Sequence, residues 1–171
     1  DHFGEYGIDD LDGLADAKLT VARLVHGDGR LVLNADDPLL RAKAPGLAGR
    51  LGCRPRIAWF AADSRLPLLE TARAAGGATC GSLAGRLVLH HDGVGHDLGD
   101  IAAMPLAAGG AAAFNVANLA AAALAAAALG VAPGSIARAL AGFGSRPEHN
   151  PGRLMRFERD GVQVLLDYAH N

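Results

Sequence analysis

The sequence predicts an α/β protein, a mostly parallel sheet with flanking helices, and three observations carry that prediction. Between Leu11 and Ala75 short apolar runs alternate with stretches of helical period, the order that a layered sheet-and-helix architecture requires. From Thr79 to Leu98 the pattern changes to short paired strands, a small antiparallel patch expected at one edge. Two alanine-rich helical stretches follow, and a hairpin closes the chain.

Each element has a local reason. Apolar residues at 11, 14, 15, 21, 22 and 25 keep the helical period, while Asp12, Asp16, Thr20 and Arg23 share the opposite face. Asp9 or Asp10 can cap this helix. Leu31-Val32-Leu33 is a buried strand that runs into Asn34-Ala35-Asp36-Asp37-Pro38, where Asp37 serves as N-cap and Pro38 as the first residue of the next helix. Arg56 to Phe60 is a second strand of the same kind, and Leu66 to Ala75 is a helix closed by Gly76-Gly77.

Arg86 to His91 then turns through Asp92-Gly93 towards Val94 to Leu98. Ala113 to Leu129 is a helix stopped by Gly130, and Pro133 to Phe143 is another with ordinary boundary signals. A proline-rich connection, 146–152, leads to a hairpin of Leu154 to Arg159 and Val162 to Leu166 about Asp160-Gly161. A domain boundary is expected near 147 to 152.

Composition narrows the function classes. The 171 residues, half of them hydrophobic, suffice for one sizeable core with a small appended piece. Sixteen Lys and Arg against 18 Asp and Glu leave a formal charge of -2, which argues against a nucleic-acid surface and means that any phosphate is held locally. Cys53 and Cys80 lack metal-ligand spacing and read as free thiols, in keeping with a reducing cytoplasm. The alanine-rich run from Ala111 to Leu129 carries two asparagines and reads as a packed helix, with no membrane anchor expected. The opening at Asp1-His2-Phe3 and the close at Asp167-Tyr168-Ala169-His170-Asn171 suggest an excised segment.

Lys18 is the oddest residue. Projection at 100° per residue puts it inside the apolar stripe, between Leu14, Ala15, Ala22 and Val25. It reads either as a lysine whose stem follows the core edge with its ammonium in water, or as a desolvated, nucleophilic amine. His2 beside Asp1 is a metal or phosphate partner on one reading and a hydrogen-bonded structural histidine on the other. Three polar features sit at element boundaries, where α/β proteins collect ligand groups: Asn34, Asp36 and Asp37; Asn115 and Asn118 at i, i+3; and Asp167 at a strand end. Each has a plain alternative as a capped turn, a helix-start tie or a solvated strand end.

Their order is more specific. Asp1-His2, Ala17-Lys18 of an early helix, Leu33-Asn34-Ala35-Asp36-Asp37-Pro38, Asn115 with Asn118, Pro151-Gly152-Arg153 and Asp167-Tyr168-Ala169-His170-Asn171 together resemble the Mur ligase superfamily over nearly the whole chain. The opening run Asp1 to Ile8 looks most like the Mur-like portion of cyanophycin synthetases.

The resemblance implies a fold, a reaction and residue roles. Residues 1–149 would be the later part of a Mur-type, P-loop-like central ATP-binding domain, and 150–171 the hinge and first strands of a C-terminal domain. The activity implied is ADP-forming amide synthesis from ATP, a carboxylate and an amine through an acyl phosphate, with a folylpolyglutamate-type ligase or a non-catalytic nucleotide-binding or scaffolding relative as rivals. His2 would bind magnesium together with Lys18 as a carbamate, so that these two residues are the catalytic candidates. Asn115 and Asn118 would lie near the adenine, Arg153 near the phosphates, Asp167 at the ribose and His170 near the nucleotide. Phe114 stands where many relatives have His, a departure at the adenine side. No Gly-Lys-Thr or Gly-Lys-Ser loop occurs, so the phosphate cradle is missing and the chain alone is expected to be inactive. No nucleic-acid or membrane partner is expected.

Overall fold

The computed structural model describes residues 4, 6–26, 29–52, 54–153 and 155–167. Its centre is a five-stranded sheet of β1 (Arg30–Asn34), β2 (Arg56–Asp63), β3 (Thr79–Leu83), β4 (Arg86–His91) and β5 (Val94–Asp100), in that spatial order. β1, β2 and β3 run parallel, with Leu31 opposite Ile57 and Phe60 opposite Cys80. β4 and β5 are antiparallel additions at one edge, as the change of pattern after Thr79 predicts.

Helices cover both faces. On one side lie α1 (Leu11–Leu19), α2 (Pro38–Lys43), α3 (Leu47–Leu51) and α4 (Pro67–Ala74), and on the other α5 (Ala113–Ala128) and α6 (Pro133–Gly142). The alternation of β2 feeds both cores. Trp59 and Ala61 pack with Leu19, Ala22, Leu31, Leu33, Leu47 and Leu69, whereas Ala58 packs with Cys80, Leu87, Leu89 and the buried face of α5, Leu119, Ala120, Ala123, Leu124 and Ala127. Burial of this kind explains why the parallel strands read as continuous apolar runs.

Boundary chemistry follows the expected rules. Asp10 caps α1 by accepting from Gly13 N at 2.7 Å, and Asp37 caps α2 by accepting from Leu39 N at 2.8 Å and Leu40 N at 3.2 Å. Both Asp92-Gly93 and Asp160-Gly161 have positive φ at their two residues, the mirror-image geometry that tight hairpins prefer. The second of these joins β6 (Met155–Arg159) to β7 (Val162–Leu166), a separate two-stranded sheet. All of β7 is exposed.

The first helix departs from expectation. It stops at Leu19 and continues as a tighter 3-10 turn over Thr20–Leu24, with the Thr20 hydroxyl donating back to Asp16 O at 3.2 Å. A single 100° projection therefore cannot be carried through to Val25. The buried stripe is Ala15, Leu19 and Ala22, while Leu11 and Val21 are exposed. Lys18 lies off that stripe and is exposed, so its expected place in the apolar face is incorrect. The short α3 and the Ala44–Gly46 turn before it, which bury Ala44 and Leu47, are also absent from the sequence expectation.

Among the described residues no helix is long and apolar enough to cross a membrane. Cys80 is a free, buried thiol, and burial pushes its pKa up to about 12. Cys53 lies outside the described residues.

Candidate functional site

The connection out of α6 builds the most site-like feature. Gly144 follows α6 at φ +90°, and a Cβ placed there would meet Leu106 Cδ2 at 2.6 Å. Only glycine lets the chain pass so close to Leu106 in that conformation. Gly144 N donates to His149 Nδ1 at 3.1 Å, and the His149 ring stacks on Phe143 with centroids 5.6 Å apart and planes 12° off parallel. The 3-10 turn Pro147–His149 is thereby fastened to the end of α6.

Between this turn and the Pro105–Gly110 segment is a cavity of about 230 Å³. Pro105, Leu106 and Met155 form its apolar walls; Ser145, Arg146, Asn150 and Arg153 provide its polar groups. Arg153 N donates to Asn150 O at 3.1 Å, which folds the chain back after Gly152, itself at φ +75°. Met155 Sδ accepts from Gly152 N at 2.9 Å.

The start of α5 reaches the same wall. Asn115 Nδ2 donates to Leu106 O at 2.9 Å, and Asn118 Nδ2 donates to Asn115 Oδ1 at 3.4 Å. Asn115 is half-buried and Asn118 is exposed. Three of the residues singled out by sequence therefore come into one neighbourhood: Arg153 in the cavity wall, Asn115 one hydrogen bond behind it, and Asn118 next to Asn115. Asp167 follows the end of β7, exposed and outside the cavity lining. Lys18 sits on α1, across the sheet from Leu106 and α5. His2 and His170 lie outside the described residues.

The acidic turn after β1 has structural duties. Asn34 Oδ1 accepts from Asp36 N at 2.9 Å, and Asp36 Oδ2 accepts from Ala62 N at 2.7 Å, tying the ends of β1 and β2 together. Asp37 is the α2 cap already described. These residues, with Asp9, Asp10 and Asp12, border an open acidic shelf. Among the described residues no group of three His, Cys, Asp or Glu side chains converges as a metal site. Lys18 is exposed, and the described residues do not by themselves fit a magnesium ion.

Other perturbed groups have local causes. The Arg65 guanidinium holds the Asp63 carboxyl below its ordinary value, and Arg86 does the same for Asp97 through a 2.6 Å contact. Lys43 bridges α2 to α1 through Asp12 at 2.8 Å and Asp16 at 2.9 Å, and these bonds raise its pKa. His90 is lowered by burial first, then by Arg73 and His96.

Sequence reasoning did not single out Arg146, Asn150 or Leu106. Arg146 stands in a proline-rich connection, and its only signal was a second arginine close ahead of Pro151-Gly152-Arg153. The partner wall, Pro105-Leu106, is about forty residues away in sequence, and no periodicity links it to the connection.

Comparison with known proteins gives full-length similarity in one direction. The chain is 34% identical over 171 residues to the cyanophycin synthetase of Nostoc sp. (strain PCC 7120), 34% to that of Trichormus variabilis and 30% to that of Synechocystis sp. (strain PCC 6803). All of this chain is covered in each case, but it spans only 18%, 18% and 19% of those relatives. No protein-family model matches the chain. It is therefore a cyanophycin synthetase-like region, similar to one stretch, under a fifth, of these synthetases.

Proposed function

We propose that this chain is the later part of the ATP-binding portion of an ADP-forming amide ligase of the Mur type, related to cyanophycin synthetase, followed by the first strands of the domain that closes over the nucleotide. The observation that carries the reading is that Arg153 lines a cavity whose wall residue Leu106 is held through its carbonyl by Asn115, with Asn118 bonded to Asn115, residues for which the Mur resemblance implies nucleotide contacts. Similarity to cyanophycin synthetases over all 171 residues supports the same branch.

The residues fit part of a nucleotide. About 230 Å³ accommodates a purine ring or a pair of phosphates, and a whole nucleotide needs more, since small-molecule pockets run from about 300 Å³ upwards. Arg153 presents a planar fork that takes two phosphate oxygens at once. Asn115 spends its amide on Leu106 O and on Asn118, which leaves Asn118 to offer its carbonyl and a free amide hydrogen to a nucleobase edge. Asp167 would reach the ribose after closure about Pro151-Gly152, and His170 belongs to the same nucleotide side of this reading. Closure would also exclude water from the activated carboxylate.

In the reaction, a carboxylate oxygen takes the terminal phosphoryl group of ATP with loss of ADP, and an amine then attacks the acyl carbon and expels phosphate. Arg153 would balance phosphoryl charge during both steps. Another part of the intact protein supplies the amides that cradle the β- and γ-phosphates, so the 171 residues alone release no ADP. Magnesium binding through His2 and a carbamate of Lys18 rests on resemblance only. Lys18 is exposed on α1.

The test is ADP release by the intact protein with a carboxylate acceptor and an amine supplied separately and together. Continuous ADP release that needs both, and that falls sharply in Arg153→Ala, is the expected result. Turnover and ATP affinity both unchanged in Arg153→Ala would remove Arg153 from the site; ATP binding without any ADP release would favour a non-catalytic nucleotide-binding relative, and absence of ATP binding a scaffolding one. Activity confined to folate acceptors would transfer the assignment to a folylpolyglutamate-type ligase.

A further inference from the structure

We infer that Arg146 is a second phosphate-binding residue of the hinge cavity, facing the nucleotide from the α6 side while Arg153 faces it from the hairpin side. The inference rests on the ligase reading above and adds a residue to it.

Four observations carry it. Among the described residues the cavity is lined by two arginines, Arg146 and Arg153, and by no acidic side chain, in a chain whose acids outnumber its bases by 18 to 16. Such a lining is a local anion site in a molecule without a general basic field. No hydrogen bond or ion pair engages the Arg146 side chain among the described residues, so its five donors are available.

The third observation is how firmly the backbone beneath Arg146 is held. Its extended conformation, φ -128° and ψ 145°, is the one that a following proline imposes. Arg146 O accepts from His149 N at 3.1 Å, and His149 is stacked on Phe143 and bonded to Gly144. The fourth is Gly144, whose missing side chain brings this segment against Leu106 and so closes the cavity beside Arg146. A pinned arginine loses less freedom on binding an anion than one on an open loop. The guanidinium fork suits phosphate oxygens, and a nucleotide polyphosphate is the anion that the proposed reaction brings to this hinge.

The experiment is calorimetric titration of the intact protein with ATP, tripolyphosphate and adenosine. Wild type is compared with Arg146→Gln, Arg146→Met and, as a surface control on α6, Arg138→Gln. Each variant is read only if its thermal unfolding matches wild type, and the two Arg146 replacements guard against one failing to fold. The expected result is a loss of about tenfold in affinity for ATP and for tripolyphosphate, as for removal of a charged hydrogen bond. Adenosine affinity is unchanged, and Arg138→Gln alters none of the three. Unchanged ATP and tripolyphosphate affinities in a folded Arg146 variant would overturn the inference while leaving the ligase reading intact. An equal loss for adenosine would overturn it too, because the effect would then be on the shape of the cavity. Wild-type protein that binds neither ATP nor tripolyphosphate would bring down the ligase reading together with this one.

Discussion

Replacing Gly144 by Ala tests the packing that forms the cavity after α6. Two costs add. An alanine held at φ +90° costs about 1–3 kcal/mol, the range for a residue kept in a sparsely populated backbone region. The new methyl would lie 2.6 Å from Leu106 Cδ2 and 2.8 Å from its Cγ, and relieving that overlap costs about another 1–3 kcal/mol by overpacking. The expected total of about 2–6 kcal/mol is a large share of the ~5–15 kcal/mol that stabilises a typical domain. Urea unfolding followed by the fluorescence of Trp59, the sole tryptophan and 7% exposed, measures it. The two parts separate in a Leu106→Ala background, where the side-chain overlap is gone and only the backbone cost remains. The double-mutant coupling should therefore be about 1–3 kcal/mol. A cost under about 0.5 kcal/mol, or the same cost in both backgrounds, would refute the close approach of residue 144 to Leu106.

Three further outcomes are expected. Asp37→Ala should lower stability by about 1 kcal/mol through loss of the α2 cap, and Asp36→Ala by a similar amount through loss of the bond to Ala62 N; no change in the urea midpoint of either would contradict the capped-turn account. Cys80 should stay unreactive towards a thiol reagent in native Cys53→Ser protein near neutral pH and react fully in denaturant, because burial keeps it a thiol; rapid native labelling would contradict this. The folded-state pKa of His90 is depressed, so the unfolded chain binds the extra proton, and stability is lost as pH falls below the ordinary histidine value of about 6.5. His90→Gln should flatten the fall in urea midpoint between about pH 7.5 and 5.5, and an unaltered slope would show that His90 does not contribute to it.

The strands of the sheet were legible because burial on both faces leaves an unbroken apolar run, as at Leu31-Val32-Leu33 and Ile57 to Phe60. Caps and hairpins with the right turn residues were equally legible, at Asp37, Asp92-Gly93, Asp160-Gly161 and the pair Asp9-Asp10, of which Asp10 is the cap. The turn between β3 and β4 was not, because Ala84 adopts φ +49° ahead of Gly85, and alanine carries no signal for that conformation. Lys18 was misplaced because the helical period tightens after Leu19, which sequence spacing does not reveal. At the candidate site, Arg153 in the cavity wall and Asn115, bonded to Leu106 O, stand in motifs whose order the sequence displays, and their nucleotide roles belong to the proposal. Arg146 and the Leu106 wall were not legible, because the cavity depends on a tertiary approach set by one glycine.

The role proposed for this chain is in ADP-forming synthesis of an amide through an acyl phosphate. Its most direct test is to give the intact protein ATP, the amine and an acceptor whose carboxylate carries oxygen-18, and to follow the label by mass spectrometry of the phosphate released. The account predicts one labelled oxygen in the phosphate for each amide formed, with ADP as the other product. Amide formed with unlabelled phosphate, or with AMP and pyrophosphate in place of ADP, would contradict it.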